Sequence, residues 1–113
     1  MEKFCLQWND FEASIRESFK DLREEQNYFD VTLATDDGYY IEAHKVILST
    51  GSLFFSNTLK QIKHPSPFIF LKGIKRIELE QVVHFLYTGE TFIAQEELYI
   101  FFETAQELQI KCL

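Results

Sequence analysis

The stretch YFDVTLATDDGYYI, residues 28–41, predicts a β-hairpin. Residues 28–35 alternate between apolar and polar and are rich in β-branched and aromatic side chains, which favour strands. Asp36-Asp37-Gly38 is a turn signal, and Tyr39-Tyr40-Ile41 resumes the strand pattern. From Ala43 onward the apolar period becomes that of helices. A hairpin followed by helices predicts a small α+β domain, with helices packed about a short sheet.

Downstream of the hairpin, short helices alternate with single strands. Glycine ends helices because it adopts the left-handed C-cap conformation at little cost, and proline breaks them because it lacks a backbone donor. The predicted elements are a helix over 44–50 ended by Gly51, a helix capped by Ser52, a strand over 68–71 after the prolines, a helix over 77–88 ended by Gly89, a strand over 91–93 and a last helix over 98–108.

Upstream of the hairpin, an apolar strand precedes an amphipathic helix. Phe4, Leu6 and Trp8 lie on one side of a strand, because side chains alternate with a period of two. A helix is predicted over 10–25, with Asn9 or Asp10 as its N-cap. Its apolar face carries Phe11, Ile15, Phe19 and Leu22.

Length and composition narrow the class of protein. The 113 residues predict one domain over 1–113, and Leu, Ile, Val and Phe make up 38 of them, which is enough for a core. Eleven Lys and Arg against eighteen Asp and Glu give a net charge of −7, so a protein partner is expected rather than nucleic acid or an anionic membrane. There is no long apolar run or signal peptide at the N-terminus, and the two cysteines, Cys5 and Cys112, form no disulfide framework, so we expect a soluble protein in a reducing compartment.

No catalytic, cofactor or metal motif is present. His44, His64 and His84 stand twenty residues apart, which is unlike the i, i+4 spacing of ligands on one helix face. The four glycines are scattered, so neither phosphate-binding glycine motif occurs, and there is no GxSxG nucleophile motif. We therefore expect no enzyme activity, no cofactor and no metal.

The N-terminal strand needs a sheet edge to pair with. Burying three large apolar side chains yields about 5–9 kcal/mol, whereas ordering seven residues costs about 7–14 kcal/mol of backbone entropy. The free energy gained by burying these side chains is therefore roughly equal to the entropy cost of ordering the strand. The edge is supplied either by this domain or by another chain, and a homodimer that buries strand and helix together is the alternative to closure on the domain itself.

Four motifs in order and spacing resemble the BTB/POZ domain along nearly the whole chain. They are Phe29-Asp30-Val31-Thr32-Leu33, Glu42-Ala43-His44-Lys45-Val46-Ile47-Leu48-Ser49, Ser52-Leu53-Phe54-Phe55 and Phe85-Leu86-Tyr87-Thr88-Gly89-Glu90. The opening Phe4-Cys5-Leu6-Gln7-Trp8-Asn9-Asp10 further resembles the start of the insect Tramtrack-type BTB group, which makes residues 1–10 its N-terminal strand extension. Gln7 stands where that group usually has a basic residue, and Asp10 replaces a common Asn.

The resemblance implies the BTB/POZ fold, in which helices surround a short mixed sheet. It also implies a homodimer built on the first helix, with the N-terminal strand exchanged to pair with the partner's strand near Thr91–Ala94. In the Tramtrack-type group such dimers assemble into larger, hexamer-like multimers. By the same analogy Asp30 and Lys45 form a buried charge pair. The expected dimer and multimer interface consists of Phe4, Leu6, Trp8, Phe11, Ile15, Phe19 and Phe92.

The resemblance also implies a nuclear transcription or chromatin-architecture factor whose DNA-binding module is a separate part of the protein. Its expected partners are itself, related BTB domains and co-regulator proteins. One alternative is a substrate adaptor of a cullin ubiquitin ligase, but the loop over 61–66 lacks the Glu usual in such adaptors. A second is a co-repressor platform that binds a partner peptide between the subunits.

Overall fold

The computed structural model describes all 113 residues and contains five α-helices and three strands. The elements in chain order are α1 (Phe11–Glu24), β1 (Val31–Thr35), β2 (Tyr40–Ala43), α2 (Lys45–Gly51), α3 (Leu53–Gln61), β3 (Phe68–Leu71), α4 (Arg76–Thr88) and α5 (Leu98–Glu107), with a 3-10 turn over Gln95–Glu97 before α5. None of the helices is both long and apolar enough to cross a membrane.

The sheet is mixed, with β1 in its centre. β1 pairs antiparallel with β2 and parallel with β3, and Leu33 is aligned with Ile41 on one side and with Ile69 on the other. These three side chains are buried because alternate residues of each strand point to the same face, and that face lies on the core. The predicted hairpin is confirmed, although its first strand begins at Val31 rather than at Tyr28.

The helices enclose a core of eighteen buried apolar residues together with the inner face of the sheet. Gly51, at the end of α2, lies so close to the side chain of Leu86 on α4 that a Cβ atom would collide with it. The Ser52 hydroxyl accepts a hydrogen bond from the Phe55 N–H (3.1 Å) and donates one to the Leu108 carbonyl. Ser52 thus starts α3 and fastens it to the end of α5, as the sequence predicted for the cap.

Most of the predicted elements after the hairpin are confirmed. α4 ends at Gly89, whose φ of 83° is left-handed and whose N–H binds the Phe85 carbonyl (2.8 Å). The α+β class and the mixed sheet are likewise as expected. β3 occupies the predicted range, and α5 starts where the apolar pattern indicated.

Two predicted strands have no regular secondary structure in the single chain. They are residues 4–8 and residues 91–93, and neither segment makes a backbone hydrogen bond. A strand is defined by pairing with a neighbour, so the apolar pattern alone does not create one. The start of α1 also differs, because Asp10 is left-handed (φ 60°) and its side chain makes no capping hydrogen bond.

Candidate oligomerisation surface

The N-terminal segment, residues 1–9, projects from the rest of the chain. Phe4 and Leu6 are 84% and 94% exposed, and the backbone N–H and C=O groups of the segment have no backbone partners. Only Trp8 has an aromatic neighbour: its ring meets that of Phe11 edge-on, with centroids 5.0 Å apart. The structure therefore presents an unpaired, apolar segment next to the first turn of α1.

Helix α1 is the least buried helix with an apolar face. None of its residues is fully buried, and it packs against α4. Phe19 reaches the edge of the core, Ile15 is half-buried and Phe11 is exposed. The Arg23 guanidinium lies 5.4 Å from the centre of the Tyr87 ring and helps to hold the C-terminal half of the helix on α4. The N-terminal half of α1 therefore keeps exposed apolar surface.

A second open edge lies between α4 and α5. Residues 91–93 make no backbone hydrogen bond, and their side chains alternate: Phe92 is 89% exposed, whereas Ile93 packs against the core. Residues 91–93 thus form an edge with Ile93 on the domain, Phe92 in solvent and no strand beside it.

An apolar groove of about 420 Å³ runs beside this edge, between the end of α4 and α5. Six of its nine lining residues are apolar: Phe85, Ile93, Leu98, Phe101, Phe102 and Leu113. The sequence pattern placed the α5 residues on one helix but not in a groove. The available signal was the run Leu98-Tyr99-Ile100-Phe101-Phe102, which is apolar around the whole helix and cannot all be buried by one neighbour.

Asp30 and Lys45 meet, but through the backbone. Asp30 Oδ1 accepts a hydrogen bond from the backbone N–H of Lys45, the first residue of α2, at 2.7 Å. The two charged groups do not form an ion pair; the chain's one ion pair within 4 Å joins Arg76 and Glu80. Both residues are half-buried rather than buried. Asp30 therefore caps α2 in place of the expected side-chain pairing, because the free N–H groups of a helix start bind a carboxylate directly.

A buried hydrogen-bond network connects the loop after α1 to α2 and α4. His44 Nε2 donates to the Asn27 carbonyl (2.6 Å), so in the neutral ring Nδ1 accepts from the Tyr87 hydroxyl. The same hydroxyl accepts from the His44 backbone N–H (3.0 Å). Burial raises the pKa of Tyr87 above its ordinary value of 10.0. This network fixes the position at which α1 leaves the domain, and the sequence indicated only that His44 starts a helix.

Other exposed apolar side chains were not assigned a role by the sequence. Val46 projects from the first turn of α2, beside the contact made by Asp30. Tyr40, Phe68 and Phe70 cover the outer face of the sheet, where the Tyr40 and Phe68 rings pack with centroids 5.5 Å apart. No group of three or more metal-ligating side chains occurs in the chain.

Comparisons with known proteins agree on one family. The family model described as "BTB/POZ domain" matches residues 19–113. The chain is 39% identical over 112 residues to Longitudinals lacking protein-like of Drosophila melanogaster, and the match covers 99% of this chain and 87% of that protein. It is 39% identical to Protein abrupt and 38% identical to the Broad-complex core protein of the same organism, but spans only 12% and 15% of their lengths.

Among solved structures, the BTB domain of zebrafish PATZ1 superposes with a TM-score of 0.82. The superposition covers 96% of this chain and 89% of the PATZ1 chain, at 18% sequence identity. At that identity the likeness concerns the fold alone.

Proposed function

This chain belongs to the BTB/POZ family of non-catalytic protein-interaction domains, and we propose that it is the homo-oligomerisation domain of a nuclear transcription or chromatin-architecture factor. The family recognised from the sequence motifs is confirmed, and the similarity to Drosophila proteins extends over the Tramtrack-type N-terminus. The proposal concerns what the domain binds, which is a second copy of itself.

The observation that carries the proposal is the presence, in one chain, of two segments with a strand-like sequence pattern and no backbone partner. Residues 1–9 and residues 91–93 have free backbone donors and acceptors, and each segment carries exposed aromatic side chains. In a two-fold dimer each copy gives its N-terminal segment to the other and receives one in return, so the dimer contains two equivalent pairings and neither segment is left unpaired. The exposed N-terminal half of α1 lies next to the segment and is covered in the same step.

The expected interface residues fall into two groups. Phe4, Leu6, Trp8, Phe11 and Phe92 are exposed in the single chain and are available to a partner. Ile15 and Phe19 are half-buried, and Phe19 already contacts the core, so these two contribute less new surface. Further assembly of dimers into multimers, as in the Tramtrack-type group, is part of the proposal.

In this proposal the domain acts by joining several chains and not by catalysing a reaction. A domain with a net charge of −7 does not attract phosphate, but by joining several chains it raises the local concentration of any DNA-binding segment attached to it. The curated relatives abrupt and Broad-complex are about seven to eight times longer than the matched region, so such segments have room outside the domain. Related BTB domains and co-regulator proteins are the other proposed partners.

Light scattering coupled to size-exclusion chromatography tests the proposal. We expect the full chain to be a dimer or larger at several concentrations, and both Trp8→Ala and deletion of residues 1–8 to lower the mass without unfolding the domain. Tyr99→Ala, which removes an exposed aromatic of α5, is the matched control and keeps the parent mass. A monomeric full chain would refute homo-oligomerisation, and a deletion protein that keeps the parent mass would refute the role of the N-terminal segment.

A further inference from the structure

We propose that the free edge of β3 is a docking site for an acidic, extended peptide segment of a partner protein, which pairs with the strand through backbone hydrogen bonds. This inference goes beyond homo-oligomerisation, because it assigns a partner of different chemistry to a surface outside the N-terminal segment, α1 and residues 91–93. Addition of a strand to an open sheet edge is a general mode of peptide recognition.

Strand β3 has one paired side and one open side, because it lies at the end of the sheet, next to β1 alone. The Thr32 N–H on β1 donates to the Pro67 carbonyl at 3.0 Å. Since the backbone groups of successive residues point to opposite sides of a strand, the N–H and C=O groups of Phe68 and Phe70 point away from β1. Neither residue makes a backbone hydrogen bond outside the sheet. The open side therefore offers two donors and two acceptors to an added strand.

The sheet face beside this edge is aromatic. Phe68 and Phe70 are 60% and 56% exposed there, and the Phe68 ring packs against that of Tyr40. The β1 residues aligned with the two phenylalanines, Thr32 and Ala34, are small, so the rings stand above the sheet surface. Every second side chain of an added strand lies on this face, where an apolar side chain covers the rings.

The charge around β3 is opposite to that of the whole chain. Residues 43–77 contain six of the eleven Lys and Arg residues and none of the eighteen Asp and Glu residues. Lys63 precedes β3 and Lys72 directly follows it; both are exposed, and neither takes part in an ion pair. A short apolar segment with carboxylates at both ends is therefore complementary to this edge.

A second copy and a nucleic acid fit this edge less well. Two β3 strands paired about a two-fold axis run antiparallel, which brings Lys72 of one copy toward Lys63 of the other, and like charges repel. Lysines beside an edge strand are a common protection against pairing between copies. A nucleic acid has no peptide backbone to extend the sheet, and the net charge of −7 repels phosphate. An acidic peptide satisfies both the backbone groups and the charge.

Binding of three synthetic peptides to the full chain, measured by fluorescence anisotropy, tests the proposal. The first peptide has four alternating valine and phenylalanine residues with two glutamates at each end. The second has lysines in place of the glutamates, and the third keeps the glutamates but has methylated backbone amides throughout the apolar stretch. We expect the first peptide to bind, and the other two to bind at least about tenfold more weakly, because one has the wrong charge and the other cannot donate to the strand.

Variants of the chain locate the site on β3. Replacing both Lys63 and Lys72 by Glu is expected to weaken binding of the glutamate peptide at least about tenfold and to strengthen binding of the lysine peptide. Replacing both Lys3 and Lys111 by Glu makes the same change in net charge at the two ends of the chain and should keep the parent affinity. Phe70→Pro removes an outward donor while the ladder to β1 is kept, so it weakens binding of the glutamate peptide. Circular dichroism verifies that each variant is folded.

The possible results separate this inference from its competitors and from the proposed function. Equal binding of the methylated peptide or of the lysine peptide would overturn it. Tighter binding of a single-stranded DNA oligonucleotide than of the glutamate peptide would overturn it in favour of nucleic acid, and a fall in the mass of the peptide-free chain on Phe70→Pro would do so in favour of a second copy. An oligomeric chain that binds none of the peptides would overturn this inference and leave the proposed function in place. A monomeric chain that binds the glutamate peptide selectively would support this inference and refute homo-oligomerisation.

Discussion

Asp30 stabilises the start of α2 from a position fifteen residues earlier in the chain. His44, which precedes α2, makes no side-chain capping bond, and Asp30 Oδ1 supplies the acceptor for the Lys45 N–H instead. Asp37 does the same for α4: its carboxylate accepts from the Arg76 N–H at 3.0 Å, although the residue lies in an exposed turn. Two helices thus begin on carboxylates from the hairpin region.

Replacing Asp30 tests the value of this cap. Asp30→Ala is expected to lower the free energy of unfolding by about 1–2 kcal/mol, because removal of an N-cap leaves a helix donor without its partner. Asp30→Asn is expected to cost less, since the amide oxygen still accepts the hydrogen bond and only the favourable charge is lost. Urea denaturation monitored by circular dichroism gives both values.

The control for the Asp30 variants is Asp36→Ala. Asp36 lies in the exposed turn after β1 and caps no helix, so its replacement should leave the urea midpoint of unfolding unchanged. Asp37 cannot serve as a neutral control, because its carboxylate caps α4. The Thr35 hydroxyl and the Arg76 N–H lower the pKa of Asp37 below its ordinary value of 3.8, and the hydroxyl has a second acceptor in the Tyr39 carbonyl, 3.3 Å away. If Asp30→Ala and Asp36→Ala had the same free energy of unfolding in urea, the capping role assigned to Asp30 would be wrong.

Hydrogen bonds that close over a few residues could be predicted from the sequence, and those that close over many could not. Ser52 caps α3 three residues away, and Gly89 ends α4 locally, so both signals were legible in the order of residues. Asp30 and Asp37 bind donors fifteen and thirty-nine residues away. Only the fold brings those partners together, and the family analogy that paired Asp30 with Lys45 identified the neighbour but not the donor atom.

The Tyr87 hydroxyl on α4 binds His44 at the start of α2, and His44 in turn binds the loop after α1. Tyr87→Phe leaves the His44 backbone N–H and Nδ1 buried without a partner, so we expect a loss of about 1–3 kcal/mol of stability in urea titrations. Because burial raises the pKa of Tyr87, the stability that depends on its neutral form is complete below pH 10 and is lost as the pH rises through the raised value. The variant should therefore lose less stability than the parent under alkaline conditions.

Tyr99→Phe is the matched substitution, since Tyr99 is exposed on α5 and its hydroxyl can bind water. Equal stability of Tyr87→Phe and Tyr99→Phe at neutral pH would show that the network contributes nothing. A selective loss in Tyr87→Phe would show that α2, α4 and the loop after α1 are held together by it.

The elements that the sequence could not settle are those that have no pairing partner within the chain. Leu33, Ile41 and Ile69 could be assigned to strands because their neighbours are in the same sheet. Phe4 to Trp8 and Thr91 to Ile93 show the same alternation, yet each remains unpaired in a single copy. Their pattern predicts how they pair in an assembly. The groove beside residues 91–93 escaped prediction because α4, α5 and Leu113 form it together.

The whole molecule is extended for its length. Its radius of gyration is 16.1 Å, whereas a compact domain of this size has about 13 Å, and its longest dimension is 59 Å. Exposed apolar side chains occur on the N-terminal segment, the first turn of α1, the edge at Phe92 and α5, and also on the outer face of the sheet. A single copy with this shape leaves its apolar N-terminal segment in water, and the proposed assembly covers that surface.

Trp8 reports on this assembly because it is the chain's one tryptophan and lies at the base of the N-terminal segment. It is 61% exposed in the single copy, and exchange of the segment encloses it between two chains. We expect its fluorescence to shift to shorter wavelength and its quenching by acrylamide to weaken as the protein concentration, and with it the mass in light scattering, increases. Leu6→Glu, which leaves Trp8 unchanged, should keep the exposed signal over the same range. Quenching that is independent of mass would mean that the copies meet through a surface that does not include the N-terminal segment.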